Sequence, residues 1–299
     1  MSSSIHLLSY NTHLFGGGPL DDVLPIYRDS QRADLIVDQL ERSGADVIGL
    51  SEVWTQTMAE RITSRLRGRY HAYRPPESLD LKFQTSGLLV LSRSPFIDDS
   101  CGFQPFSNLA FPDDQANKGV AWGRCELPIG GRTLRLLIFL THTQADYPDG
   151  GHRWQRQKNI ETVGNQIDNL RNEDDPDEAV VLLGDLNVTA EDGNGSPTSE
   201  YQETLKNLPD MHDGFRMAHP SAIDQPGYTY EGPTNTLIPR FSPNETSWRQ
   251  RVDYHFLGGA LVTGGRLTAD IPSDDFTFEV QGRKENLSDH EPLRSTWTP

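Results

Sequence analysis

Short apolar runs recur along the chain, and nearly every one ends in a polar residue. Ile5–Tyr10 reads as a strand ending at Asn11, with a glycine-rich turn expected at Gly16–Gly18. Leu35, Ile36 and Leu40 share a face at helical spacing and Gly44 follows as a stop, so the pattern predicts a helix from Asp29 to Ser43. Asp46–Leu50 reads as a buried strand running into Glu52, and Gln56–Leu66 as a second helix. Strand-like runs follow at Gly87–Ser92, Gly119–Leu127 and Thr133–His142, then helical periodicity from Arg153 to Leu170. Asn172–Glu178 reads as a solvated acidic turn. Ala179–Leu183 is a strand entering Gly184-Asp185-Leu186-Asn187, and Glu191–Ser199 is a Gly-, Pro- and Ser-rich loop. Arg251–Leu257 and Pro292–Trp297 are the closing strands. Many strands per helix and no strong internal boundary predict an α+β layered sandwich, one domain over 1–299, rather than a doubly wound sheet.

Charge narrows the partners. The 299 residues carry 27 Lys plus Arg against 43 Asp plus Glu, so the net charge is 27 − 43 = −16. A surface that negative repels phosphate backbones at long range, which makes nucleic acid the less favoured partner. The longest apolar runs, Leu136–Leu140 and Ala179–Leu183, are far too short to cross a bilayer. The first residues lack a basic stretch followed by an apolar one, so a cytoplasmic protein, or a secreted one whose leader has been removed, is expected. Cys101 and Cys125 form either one bridge or two buried thiols; no sequence rule decides.

The chemistry lies where the strands end. Asn11 follows Leu-Leu-Ser-Tyr, Glu52 follows Ile-Gly-Leu-Ser, His142 follows Phe-Leu-Thr, and Asp185 and Asn187 follow Leu-Leu-Gly. Asp253 lies between Val252 and Tyr254, and Asp289-His290 precede Glu291-Pro292-Leu293. Taken singly, Asn11 is a turn or cap, Glu52 a surface carboxylate, His142 a core histidine, and Asp253 a partner for Arg251. Asp185 and Asn187 flank one residue, so in extended geometry their side chains point the same way, although Gly-Asp-x-Asn also suits a simple turn. Together, these residues beside apolar strands match the placement of an active site.

The motifs LLSYNTH, IGLSEVW, FLTHTQAD, LLGDLNV, RVDYHFL and LSDHEPL occur in the order found in the endonuclease/exonuclease/phosphatase superfamily, and the chain resembles it over residues 5–293. That resemblance implies a four-layer αββα sandwich and a Mg²⁺-dependent phosphodiesterase. Within the superfamily, THTQAD, the Asp113-x₄-Lys118 pair with Lys118-Gly119-Val120, and Ser86-Gly87-Leu88 with Ser92-Arg93-Ser94-Pro95 are similar to the neutral sphingomyelinases. The aromatic β-hairpin of secreted bacterial members has no counterpart in Gly258–Gly265.

Residue chemistry assigns the roles. Mg²⁺ takes oxygen ligands and keeps several waters, so Glu52 as anionic ligand and Asn11 as neutral ligand suffice, with Asp289 as a further ligand; Mn²⁺ or Co²⁺ would serve the same set. His290 is the expected base for a water, oriented by Asp253. Asp185 aligns the water or a second metal, and Asn187 donates to a non-bridging oxygen. His142, protonated, would stabilise charge or help the alkoxide leave. Lys118, with Asp113, adds charge near the phosphate, or is a solvated lysine. The expected substrate is a phospholipid or other phosphodiester, sphingomyelin first, with DNA or an inositol phosphate as alternatives, and the expected state a monomer. The 101–114 segment, with Phe103, Phe106, Leu109 and Phe111, is too irregular for a clean strand or helix. It is either core or a contact with the membrane surface.

Overall fold

The computed structural model describes residues 3–16, 28–76, 85–147 and 151–299. The first half runs β1 (Ile5–Leu14), α1 (Asp29–Ser43), β2 (Val47–Val53), α2 (Gln56–Leu66), β3 (His71–Tyr73), β4 (Leu89–Ser92), β5 (Gly102–Pro105), β6 (Gly119–Ile129) and β7 (Arg132–His142). Next come α3 (Arg153–Leu170), β8 (Glu178–Asp185), α4 (Ser199–Asn207), β9 (His212–Asp213), α5 (Gly214–Ala218), β10 (Tyr230–Glu231), α6 (Ile238–Phe241) and β11 (Arg249–Gln250). The chain closes with β12 (Asp253–Gly259), β13 (Arg266–Asp270), β14 (Thr277–Val280), β15 (Arg283–Asn286) and β16 (Leu293–Thr298).

Two six-stranded mixed sheets form, in the orders β13-β16-β1-β2-β4-β3 and β5-β6-β7-β8-β12-β9. Each has one parallel pair at its centre, β1 with β2 and β7 with β8. The period-2 alternation of each strand sends its side chains into two different cores. In β1, Ile5 and Leu7 enter the layer between the sheets, with Val47, Ile138, Leu140, Val181 and Leu183. Leu8 and Tyr10 point the other way, onto Ile36, Val37 and Leu40 of α1 and Met58 and Ile62 of α2. The second sheet repeats the arrangement, with Leu137, Phe139, Leu182 and Phe256 packed on Ile160, Val163 and Ile167 of α3. Three apolar layers between four layers of secondary structure make the αββα sandwich expected from the sequence. Local signals set the helix ends: Thr55 caps α2 by accepting from the Met58 N–H at 3.2 Å, and Gly44, at φ 66°, terminates α1.

The helices at 29–43, 56–66 and 153–170 match the periodicity to the residue. Several other expectations need correction. Glu178 is not part of a solvated turn: it starts β8, is 4% exposed and accepts from Arg124 Nη1 at 2.8 Å. The irregular 101–114 segment contains strand β5, which pairs with β6, because Phe103 packs on the inter-sheet core. Both cysteines are free thiols. Of the glycine-rich turn, Gly17 and Gly18 lie outside the described residues. No helix among the described residues is long and apolar enough to cross a membrane.

Candidate active site

The sandwich brings the strand-end residues to one end. Asn11 and Glu52 lie near the C-terminal ends of the parallel strands β1 and β2, and His142 and Asp185 close the parallel strands β7 and β8. Strands β12 and β16 run antiparallel to these, so their starts reach the same end. There Asp253 stands opposite Asp185, and His290 lies three residues before the start of β16. Gly184 makes the last step of β8 possible. Its φ is 134°, and a Cβ there would stand 2.0 Å from the Thr141 carbonyl oxygen, so only glycine lets the strand deliver Asp185. Glu52, Asn187 and His13 all hold left-handed backbone, at φ 59°, 51° and 48°. For side chains other than glycine this conformation is costly, and it concentrates at functional sites.

Asn11 ties two carboxylates together: its Nδ2 donates to Glu52 Oε1 at 2.8 Å and to Asp185 Oδ2 at 3.0 Å, while its Oδ1 accepts from the His13 N–H at 3.2 Å. Ligation of a metal by this side chain requires the amide to turn over. Glu52 Oε2 also accepts from Trp54 Nε1 at 3.2 Å. His290 Nδ1 lies 2.9 Å from Asp253 Oδ2, and its Nε2 lies 3.7 Å from Asp185 Oδ2. Asp289 Oδ2 lies 3.1 Å from His13 Nδ1, the nitrogen that Glu52 Oε2 also approaches, at 3.6 Å. Asp185 and Asn187 share the site through a turn rather than through strand alternation: β8 ends at Asp185, whose Oδ1 accepts the Asn187 N–H at 2.8 Å. Arg251, a possible partner for Asp253, instead binds Asp213 at 2.7 Å and Glu191 at 2.8 Å.

Lys118 is not a solvated lysine. It is 1% exposed, and its Nζ donates to Asp113 Oδ2 at 2.8 Å and the Thr143 carbonyl at 3.0 Å, and lies 3.2 Å from His142 Nε2. Tyr147 donates to the other Asp113 oxygen at 2.8 Å. The expected charge on His142 is therefore corrected: burial first, then the Lys118 ammonium and His290, push its pKa well below 6.5, so the ring is neutral at pH 7. His290 goes the other way. Burial would lower it, but Asp253, Asp185 and Asp289 outweigh burial and hold it well above 6.5. Asp185 is pushed up to about 7, first by burial and then by the Asp253 carboxylate.

This donor set fits a divalent cation. Glu52, His142 and Asp185 present ligand atoms within 4.8 Å of one another, as do Asp185, Asp253 and His290. Asp253 Oδ1 and His142 Nδ1 are buried with no hydrogen-bond partner among the described residues. Carboxylates crowded at low dielectric, one raised to about 7, are what a cation would relieve. The site opens into a cleft of about 480 Å³ whose lining also includes His13, Tyr230, Phe241 and Trp248. Sequence reasoning assigned none of these four a role. His13 was readable as part of LLSYNTH, whereas the 230–248 aromatics sit among short irregular elements with no periodic signal.

The chain belongs to the endonuclease/exonuclease/phosphatase family, whose model matches residues 8–290. Three solved structures show the same fold. Sphingomyelinase C from Streptomyces griseocarneus is 21% identical with a TM-score of 0.75, covering 100% of both chains. A beta toxin mutant from Staphylococcus aureus with bound magnesium ions is 19% identical with a TM-score of 0.75, covering 99% of this chain and 100% of that one. Truncated TDP2 from Caenorhabditis elegans is 16% identical with a TM-score of 0.68, covering 99% and 98%. No curated protein matches the chain.

Proposed function

We propose that this protein is a metal-dependent phospholipid phosphodiesterase that hydrolyses sphingomyelin to ceramide and phosphocholine. The observation that carries the reading is the buried Asp253–His290 pair, set 3.7 Å from Asp185 beside the Glu52 cluster. Likeness to a sphingomyelinase and to a magnesium-bound toxin of the same fold supports it.

His290 Nε2 takes the proton of the attacking water, and Asp253 fixes the ring through Nδ1–H and balances the charge that forms. Asp185 accepts the water's second hydrogen and aims it at phosphorus. Asn187, on its left-handed turn, donates to a non-bridging oxygen. A divalent cation held by Glu52 and Asn11, with Asp289 as a further ligand, would neutralise the phosphate oxygens and polarise phosphorus; Mg²⁺ suits the oxygen donors, and Mn²⁺ or Co²⁺ would also serve. Neutral His142 accepts from Lys118, whose ammonium brings positive charge to the phosphate side of the cleft while Asp113 holds it in place.

The apolar 101–114 segment divides between two tasks. Phe106 is core, 4% exposed, but Phe111 is 73% exposed two residues before Asp113. Phe111 is the side chain suited to touch a lipid surface. Parallel assays on sphingomyelin, a soluble choline-phosphate ester, an inositol phosphate and DNA, with and without EDTA, test the proposal. Sphingomyelin should be cleaved only without the chelator; preferential cleavage of DNA or the inositol phosphate would overturn it.

A further inference from the structure

The cleft has a second chemical character on the side formed by the 230–248 segment. Tyr230 reaches the reacting groups: its ring centroid is 5.1 Å from that of His290, in an edge contact at 60°. Its hydroxyl donates to Glu245 Oε2 at 2.6 Å and so fixes that carboxylate at the cleft. Trp248 lines the same cleft and is backed by Tyr230, Ile238 and Val252. An acid and two aromatic side chains thus stand together beside the base.

The charges of the cleft point the same way. Its lining contains six carboxylates (Glu52, Asp146, Asp185, Glu200, Glu245 and Asp289). Arg156 is the one Lys or Arg among the described lining residues, and it is already held by Glu200 at 2.7 Å and Asp146 at 3.3 Å. Among the described lining residues a polyanion such as DNA finds no free Lys or Arg. A phosphodiester with its own fixed positive charge finds a carboxylate and aromatic faces.

We infer that Tyr230, Glu245 and Trp248 form a seat for a quaternary ammonium group, which makes the cleft selective for phosphodiesters that carry one a few bonds from phosphorus. The inference rests on the phosphodiesterase reading above and adds the part of the molecule that chooses the headgroup. A quaternary ammonium has no N–H to donate, so it is recognised through aromatic faces and a nearby negative charge rather than by hydrogen bonds. Tyr230 and Trp248 supply the faces, and Glu245 supplies the charge. A primary ammonium can donate one N–H to Glu245, but its other N–H groups would face the two rings, which are poor acceptors.

The test compares two soluble p-nitrophenyl phosphodiesters on the Mg²⁺-loaded protein: the choline ester and its neohexyl isostere, in which carbon replaces the ammonium nitrogen. The wild type should show a KM about 5–30-fold lower for the choline ester, the range of a partly to fully desolvated cation–π contact, at similar kcat. Glu245→Gln and Trp248→Leu should each erode that ratio by raising KM for the choline ester alone, and each should weaken competitive inhibition by tetramethylammonium. Trp248 also packs on its neighbours, so Glu245→Gln, which preserves shape, decides the matter if Trp248→Leu fails to fold. Equal KM values for the two esters in the wild type would overturn the ammonium seat and leave the phosphodiesterase reading intact. Turnover of neither ester would overturn both.

Discussion

His290 Nδ1 and Asp253 Oδ2 meet at 2.9 Å although they belong to opposite sheets. Asp253 opens β12 in one sheet, and His290 sits just before β16 in the other. The pair exists only when the two sheets are docked, so the base is a product of the whole sandwich. Replacing His290 by Ala should lower kcat by about 10²–10⁴-fold, the usual contribution of a positioned base. Asp253→Asn removes one of the charges that hold His290 above its ordinary pKa, so NMR titration of that imidazole should show a lower pKa than in the wild type. An unchanged titration would mean that Asp253 does not govern the ring.

Metal binding should release protons. Without a cation, Asp185 titrates at about 7 and His290 stays protonated through neutral pH. A cation among these carboxylates disfavours both protons. Calorimetry of Mg²⁺ binding near pH 7 in buffers of different ionisation enthalpy should report net proton release, and Glu52→Gln should weaken the binding. Binding with no proton exchange would contradict the placement of the cation beside Asp185.

Lys118 and Asp113 are both almost fully buried, so neither charge tolerates loss of the other. Lys118→Met should cost about 3–5 kcal/mol in urea denaturation, the usual penalty for stranding a buried charge. The double change Lys118→Met with Asp113→Asn should recover part of that. If the double variant is no more stable than the single, the pair is not electrostatically coupled.

His255 gives the protein an acid-sensitive joint. It lies on β12 between the sheets, 2.9 Å from Ser9 Oγ and 2.8 Å from Ser295 Oγ, and burial pushes its pKa down to about 3. The folded state therefore refuses a proton that the unfolded chain accepts below about 6.5. Stability from this residue is complete above that pH and falls as pH drops toward 3, on the order of 1.4 kcal/mol per unit. The difference in unfolding free energy between the wild type and His255→Gln should shrink by that slope as the pH is lowered from 7 to 4. A pH-independent difference would show that His255 is protonated in the fold.

Much of this was legible in the sequence because two physical signals were strong. Helical spacing marked α1, α2 and α3, with Gly44 as the stop of α1, and polar residues at the ends of apolar strands marked Asn11, Glu52, His142, Asp185, Asp253 and His290. What stayed hidden depends on distant partners. Glu178 looks like a surface acid until Arg124 from another strand reaches it. Lys118 looks solvated until Asp113, Thr143 and His142 close around it. The charge state of His142 follows from that lysine and from burial, neither of which has a sequence period. The aromatic side chains of 230–248 lie in short elements held by contacts with the cleft, where no alternation of polar and apolar residues develops.

The exposed and buried halves of the 101–114 segment can be separated by substitution. Phe106→Ala should destabilise the fold by about 3–5 kcal/mol, as removal of a buried ring does. Phe111→Ala should leave stability unchanged and lower activity on sphingomyelin vesicles more than on a soluble choline-phosphate ester. Equal losses on both substrates would place Phe111 in the reaction rather than at the lipid surface.

The central claim is that water, activated by His290 at a metal site built on Glu52, cleaves a phosphocholine diester. Mass analysis of the products formed from sphingomyelin in isotopically labelled water with Mg²⁺ tests it most directly. The account predicts ceramide without label and phosphocholine carrying one labelled oxygen, with both products abolished by EDTA and strongly reduced in Glu52→Gln and His290→Ala. Label in ceramide, or product formation that survives chelation and both substitutions, would contradict it.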